Sequence, residues 1–406
     1  MIYLRLAWKN IWRNKRRSFI TIASILFAVF FAVFMRSMQL GMYAKMINSV
    51  VGSYYGYIQI HSKGYWEEQS LDNTFERSIN LEKEIKSTKE VVSCVPRLEG
   101  FALLSFDEQV RGVSLTGIDP NEENNFSSLK NKIIKGNYLI QEDKGVLIGE
   151  GIAEQLKLKC GDSIALISQG YHAVSAGGKY TIKGIVKLNS SRMNNSTIFM
   201  TLGSLQEFYG TGNRISALAI NLKEGSNAAN VMAAINPKLN VQEYEIMDWT
   251  EMLPELVQII KADSSGGEIM VFILYMVISF GIFGTILMMI AERRYEFGIL
   301  LSIGMSRLRI ITVVLLESIM IALLGVGGGI LFSRPFLYYF NANPITLTGK
   351  AADTLRKFGF EPEMPTLLDF SIPLTHGSAV MMISLCLSLY SVFSILKLKP
   401  LEASKR

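Results

Sequence analysis

The sequence lacks the common signatures of a chain that does covalent chemistry unaided. No GxxxxGK[ST] loop is present to grip phosphates through backbone amides and a lysine: Gly178-Lys179 runs into Tyr180, and Gly349-Lys350 into Ala351. GxSxG, HExxH and CxxC are missing as well. Cys94, Cys160 and Cys386 are too scattered for a metal site, and nothing in their spacing supports pairing Cys94 with Cys160. His61, His172 and His376 are equally dispersed, so no metal or cofactor site is predicted in this chain. The first 17 residues contain no acid, although they carry Arg5, Lys9, Arg13, Lys15, Arg16 and Arg17.

What the sequence does have is apolar length. Of 406 residues, 49% are apolar, and the mean hydropathy is +0.27, too oily for an ordinary soluble enzyme. Ser18–Met35, Ile269–Ala291, Ile310–Ser333 and Ile372–Leu396 are each long enough to cross a hydrocarbon core of roughly 30 Å. The first follows a basic segment but leads into MRSMQLGMY without a small-residue cleavage site, which predicts a retained anchor. Lys and Arg are concentrated in residues 1–17, 292–309 and 397–406, and this bias predicts a cytoplasmic location for those segments and for both termini. The positive balance of +6 is explained by attraction to anionic lipid and requires no nucleic-acid partner.

These patterns divide the chain into an amphipathic elbow helix (1–17), a first span (18–40), an external domain (41–268), a second span (269–291), a short basic loop (292–307), a third span (308–333), an external loop (334–371), a fourth span (372–396) and a tail (397–406). In the elbow, Leu4, Trp8, Ile11 and Trp12 share a helical stripe, as expected of a helix lying in the membrane interface. Strand-like runs recur through the external domain at 57–62, 94–106, 109–119, 145–149, 163–168, 180–188, 196–202, 215–222 and 241–247. The fold class read from this is an α+β membrane protein with four transmembrane helices, one and then three. Between the first two lies a large extracytoplasmic α+β domain, a ferredoxin-like layer with an inserted β-rich subdomain at about 124–213. Trp249, Leu253, Leu256 and Ile260 then form a helical seam, which SSGG at 264–267 is expected to interrupt as a hinge.

The informative motif is AERRYEFGILLSIGMSR, residues 291–307. Glu292, Arg293, Arg294 and Glu296 leave the second span together, and Gly298 and Gly304 allow turning and close packing before the third span starts. Glu317 is placed two turns into that third span, where a charge is expensive; it is a candidate functional residue, or a structural one that snorkels or meets Arg309 through water. The GxxxG at Gly325–Gly329 predicts close helix packing, within the chain or across a dimer.

ERRYEFGILLSIGMSR resembles the cytoplasmic coupling helix of the FtsX-like permease superfamily, with Glu292, Arg293, Glu296, Gly298, Leu300, Gly304 and Ser306 matching its pattern ERxxEIGxLxAxGxS. Phe297 stands where Ile is usual, and Ser302 where Ala is. LAWKNIWRNKRRSFIT, LTGIDPNEE, GVLIGEGIAEQLKLKCGDSIAL, YTIKGIVKL and KPLEASK resemble further segments of lipoprotein-releasing ABC permeases and extend the likeness over nearly the whole chain. The resemblance implies a permease that docks a separate cytoplasmic ABC ATPase through Glu292, Arg293, Arg294, Glu296, Gly298, Gly304, Ser306 and Arg307. ATP and Mg would be bound by that partner, not here. It also implies a second permease subunit, identical or related, a periplasmic lipoprotein carrier, and lipoprotein or other amphipathic cargo drawn from the bacterial inner membrane. The hairpin hook that grips the carrier in that family corresponds here to Ser168–Tyr180, with Ser168, Gln169, Tyr171 and His172 as candidate contacts. The family hook contains a Pro-Gln pair; here only Gln169 is present. Two other readings share the superfamily: a MacB-like efflux permease, and an FtsX-like regulator of an extracytoplasmic cell-wall hydrolase.

Overall fold

The computed structural model describes residues 2–223, 225–240, 242–350, 352, 355 and 360–398, so the KPLEASK segment lies outside the described residues from 399 onward. The chain divides into two compact units: Met1–Ala44, Ile259–Thr346 and Glu363–Arg406 form one, and Lys45–Gln258 with Leu347–Pro362 the other.

The first unit is helical. Among the described residues, four helices are long and apolar enough to cross a membrane: Lys15–Tyr55, Pro254–Ser302, Arg307–Ala342 and Ser371–Leu396. Glycine sets how closely the first and third spans approach. A Cβ on Gly325 would lie 2.6 Å from Ile25 Cβ, and one on Gly329 would lie 2.7 Å from Val29 Cβ, so the GxxxG face is spent inside the chain. Beyond Ser333 the third helix continues to Ala342, past the expected border of the external loop. Aromatic packing accounts for the extension: Phe336 meets Phe30 at 5.2 Å between ring centroids, and Phe340 meets Phe34 at 5.5 Å.

The expected hinge at 264–267 is absent, because Pro254–Ser302 is one uninterrupted helix through Ser264-Ser265-Gly266-Gly267. Two glycines cost a helix about 2 kcal/mol, and contacts with the first span offset this. Tyr43 donates a hydrogen bond to Asp263 Oδ2 at 2.6 Å, and the Gln39 side chain occupies the space a Cβ on Gly267 would need. Gly267 is a packing residue, not a joint.

The second unit is built on strands β1 (Ile58–Ser62), β2 (Phe75–Glu76), β3 (Val91–Phe106), β4 (Gln109–Ile118), β5 (Ile133–Gly136), β6 (Val146–Gly149), β7 (Ser163–Gln169), β8 (Ser175–Val186), β9 (Thr197–Thr201), β10 (Arg214–Ile215), β11 (Ala217–Leu222) and β12 (Tyr244–Asp248). At one end of the main sheet the order is β12-β1-β11-β3, antiparallel throughout. Helix Ile79–Lys86 connects β1 to β3, and helix Ala228–Ile235 connects β11 to β12. Each begins at a side-chain cap: Ser78 accepts from the Leu81 amide, and Asn227 from the Ala229 amide. Their buried faces, Ile85, Val231 and Ile235, join Ile58 and Ile60 in one core.

At the other end, β3 pairs β4, β4 pairs β9, β9 pairs β6, β6 pairs β8, β8 pairs β7, and β7 returns to β3, which closes a six-stranded barrel. Alternate side chains fill it, among them Leu104, Leu115, Ile148, Leu166, Ile182 and Ile198. The long strand β3 belongs to both parts, so the β-rich portion begins within β3, well before residue 124, where the polar segment NEENNFSSLK suggests a border. Helix Pro120–Ser127 is fastened to β3 by a buried ion pair, with Arg97 Nη2 2.7 Å from Glu123 Oε1 and Nε 3.1 Å from Oε2. The same guanidinium donates to the Tyr54 carbonyl at 2.5 Å and lies over the Tyr54 and Phe126 rings. The three cysteines are unpaired, and burial pushes the Cys94 thiol up to about 12.

His61 on β1 is fully buried; its Nδ1 donates to the Ser216 carbonyl at 3.2 Å and its ring stacks on Tyr65. Burial pushes its imidazole down from 6.5 to about 4. The unfolded chain takes up this proton near pH 6.5 and the folded chain only near pH 4, so stability falls as the pH drops through that window. We expect a loss of up to about 3 kcal/mol from this residue. His61→Asn, which keeps a donor near the Nδ1 position, should flatten that pH dependence in urea denaturation of the full chain followed at Trp66.

Candidate functional site

The candidate site lies where the second span ends and the third begins. The second helix runs through the predicted loop as far as Ser302, and the third starts at Arg307, so Glu292, Arg293, Arg294, Glu296 and Gly298 are helical and only residues 303–306 form the turn. Gly298 is therefore not a turn residue; it is buried within the helix. Gly304 makes the reversal: it adopts φ +97°, its amide donates to the Leu301 carbonyl at 3.1 Å, and the Met305 amide reaches back to Leu300 at 3.0 Å. This pair of bonds is a Schellman stop, which satisfies the carbonyls of the last turn at the one residue type that tolerates the geometry. Ser306 occupies the N-cap of the third helix in an extended conformation.

One face of this segment is buried and the other is open. Arg293 and Phe297 are 5% and 2% exposed, and Phe297 packs with Met289, Ile310, Val314 and Ile395. The opposite face leaves Glu292, Arg294, Tyr295, Leu300, Ile303 and Leu308 uncovered, Ile303 at 78% and Leu308 at 73%. A mixed basic and apolar face of this kind suits a protein partner. Arg307 serves the fold: its guanidinium donates to the carbonyls of Leu396 at 2.7 Å and Leu398 at 3.1 Å, closing the end of the fourth span.

The buried face is organised by Glu317, whose side chain is fully enclosed. Arg309 is exposed and is not its partner. Instead Arg293 Nη1 lies 2.6 Å from Glu317 Oε2, and Arg17 Nη2 lies 3.3 Å from Oε1. Arg17 also reaches Glu292 at 3.4 Å, Arg293 reaches Glu296 at 3.4 Å, and Glu296 takes Arg13 at 2.6 Å. The result is a chain of alternating charge, Glu292, Arg17, Glu317, Arg293, Glu296 and Arg13, with no net charge. It links the elbow helix, the first span, the loop segment and the third span. Arg13 and Arg17 carry no motif of their own in the sequence; their basic neighbours hide them, and only the position of Glu317 hints that a buried cation is needed nearby.

The candidate hook residues lie on a different unit. Strands β7 and β8 form a hairpin whose last paired residues are Gln169 and Ser175. The tip is docked, not free. The Ser168 hydroxyl donates to the Phe101 carbonyl at 2.5 Å, the His172 amide donates to Asp72 at 3.0 Å, and the Arg214 guanidinium lies over the Tyr171 ring at 5.3 Å. His172 and Ala173 both take positive φ, +52° and +63°. Gln169, His172 and Val174 remain exposed.

Residues 18–238 match the model of the MacB-like periplasmic core domain, and residues 268–400 that of the FtsX-like permease C-terminal region. The chain belongs to the FtsX/MacB family of permeases and is LolC/LolE-like within it. LolC of Neisseria meningitidis, a lipoprotein-releasing system transmembrane protein, is 23% identical over 305 residues, covering 72% of this chain and 71% of that one. LolC of Xylella fastidiosa is 21% identical over 59% of each chain. The uncharacterized ABC transporter permease YclI of Bacillus subtilis is 26% identical over 56% of this chain and 49% of its own length. Among solved structures, the periplasmic region of MacB from Actinobacillus actinomycetemcomitans aligns with a TM-score of 0.38 and 12% identity, over 53% of this chain and 97% of that one.

Glu317→Gln leaves two buried guanidinium groups without their shared anion, and we expect a loss of about 3–5 kcal/mol. Arg13→Gln breaks only a half-exposed pair and should cost under about 1 kcal/mol. Thermal unfolding of both variants in nanodiscs, with a double-mutant cycle between positions 293 and 317, measures the difference. Equal losses would show that burial of the network is not what holds it.

Proposed function

We propose that this chain is the permease subunit of an ABC transporter that couples ATP hydrolysis on a separate ATPase to the extraction of lipoproteins from the inner membrane and their transfer to a periplasmic carrier. The observation that carries this reading is the division of the 292–307 segment into an open face fit for a partner and a buried face joined by ion pairs to the first and third spans. Force applied at Arg294, Tyr295, Leu300 and Ile303 passes through Arg293 to Glu317 and Arg17. Likeness to LolC over 72% of the chain supports lipoprotein release over the efflux and wall-hydrolase readings.

In this scheme the basic loop, the elbow and both termini face the cytoplasm, and the sheet unit faces the periplasm. The sheet order β12-β1-β11-β3 with its two connecting helices corresponds to a ferredoxin-like layer, into which the six-stranded barrel is inserted. ATP and Mg are held by the partner ATPase, and a second permease copy or relative completes the pair. The hairpin around Gln169, His172 and Val174 receives the carrier.

Two experiments test the scheme. Arg294→Glu combined with Ile303→Asp alters only open-face residues, so the protein should still insert and fold, while ATPase association weakens by at least about tenfold. Unchanged association and stimulation would remove the coupling assignment. A photoreactive residue at Val174 should crosslink to a soluble lipoprotein carrier; capture of an outer-membrane duct or of a wall hydrolase would favour one of the other two readings.

A further inference from the structure

The elbow helix Ile2–Arg13 does not lie flush on the first span. Between them opens a groove of about 660 Å3, walled by Trp8, Ile11, Trp12, Phe19, Ile20 and Leu324, within the usual size range of small-molecule sites. Lys15 and Arg16 stand at its edge. The contrast with their neighbours is informative. Arg13 and Arg17 are both consumed by carboxylates, whereas Lys15 and Arg16 are exposed and meet no acid among the described residues. No acid lines the groove, and the first acid in the sequence is Glu67.

A second observation points into the same space. Ser18 lines the groove and is 3% exposed, yet its hydroxyl has no hydrogen-bond partner among the described residues. Several serines in these helices bond back to the carbonyl one turn earlier, as Ser24 does to Ile20 at 2.8 Å; Ser391 in the fourth span shares the orphan state of Ser18 but does not line the groove. An orphan hydroxyl this deep calls for a polar atom from outside the chain.

We propose that this groove is a binding site for one anionic glycerophospholipid. An acyl chain lies along Trp8, Trp12 and Phe19, the phosphodiester is held by Lys15 and Arg16, and the Ser18 hydroxyl donates to an ester or phosphate oxygen. Charge selects the headgroup: two cations with no nearby carboxylate favour a net negative lipid and offer nothing to the ammonium of a zwitterionic one. The site is independent of the ATPase and of the carrier.

The test uses the full-length chain with Trp66→Phe and Trp249→Phe, so that Trp8 and Trp12 alone report. It is placed in phosphatidylcholine nanodiscs containing a small fraction of either dibrominated phosphatidylglycerol or dibrominated phosphatidylcholine. The expected result is stronger quenching by the brominated phosphatidylglycerol. Lys15→Gln with Arg16→Gln should reduce that preference by on the order of tenfold, and Ser18→Ala should weaken it further. Arg5→Gln with Lys9→Gln removes the same charge away from the groove and should leave the preference intact. Equal quenching by both lipids would mean ordinary annular contact and overturns the site. Equal loss in the two charge variants would mean diffuse attraction to the basic segment, and no quenching by either lipid would mean that protein covers the groove; each also overturns it.

Discussion

A carboxylate that cannot reach water organises the helical unit. Burying Glu317 alone in an apolar bundle would cost several kcal/mol, so its presence obliges other elements to supply cations. Arg293 and Arg17 answer that demand from two different helices, and their remaining valence is taken by Glu296 and Glu292. The segment after the second span is thereby fixed to the first and third spans by directional bonds. Apolar contacts around Phe297 add adhesion, but they would permit sliding; paired guanidinium and carboxylate groups do not.

The glycine seam serves the same end. Gly325 and Gly329 bring the backbones of the first and third spans to within reach of Ile25 and Val29, while Gly267 admits the Gln39 side chain. These contacts hold the first span closely against the second and third at points well beyond the charge chain. The end of the second helix thus carries two unlike faces, one open and one fixed by ion pairs to the first and third spans.

Much of this was legible in the residues themselves. Long apolar runs located the four spans, and short β-branched and apolar runs bounded by turn residues located nine strands of the sheet unit, several of them, such as β6 and β9, buried on both faces. The two-residue strands β2 and β10 and the edge strand β5 left no such pattern, being too short or too exposed. The start of β8 was concealed by Ser-Ala-Gly-Gly, a composition that favours turns and is overridden by pairing with β7. The supposed hinge at 264–267 misled for the opposite reason: glycine in a helix signals flexibility locally, yet here it signals a neighbour at close range. At the candidate site the motif marked the segment but not the direction of each side chain. The pattern ERxxE singles out Arg293 from Arg294 but does not say that the first turns inward and the second out; the fold does.

The ring closure in the sheet unit bears on how such a protein can change. Because β7 pairs on both sides, with β3 and with β8, the barrel has no frayed margin at the hairpin, and the residues from Gly170 to Val174 lie beyond the last paired position. The arc is still anchored, by the Gly170 amide on the Val174 carbonyl, the His172 amide on Asp72 and the Tyr171 ring beneath Arg214. It is therefore a braced projection: exposed side chains such as Gln169 and Val174 can vary and redraw the surface, while the backbone path that presents them stays fixed.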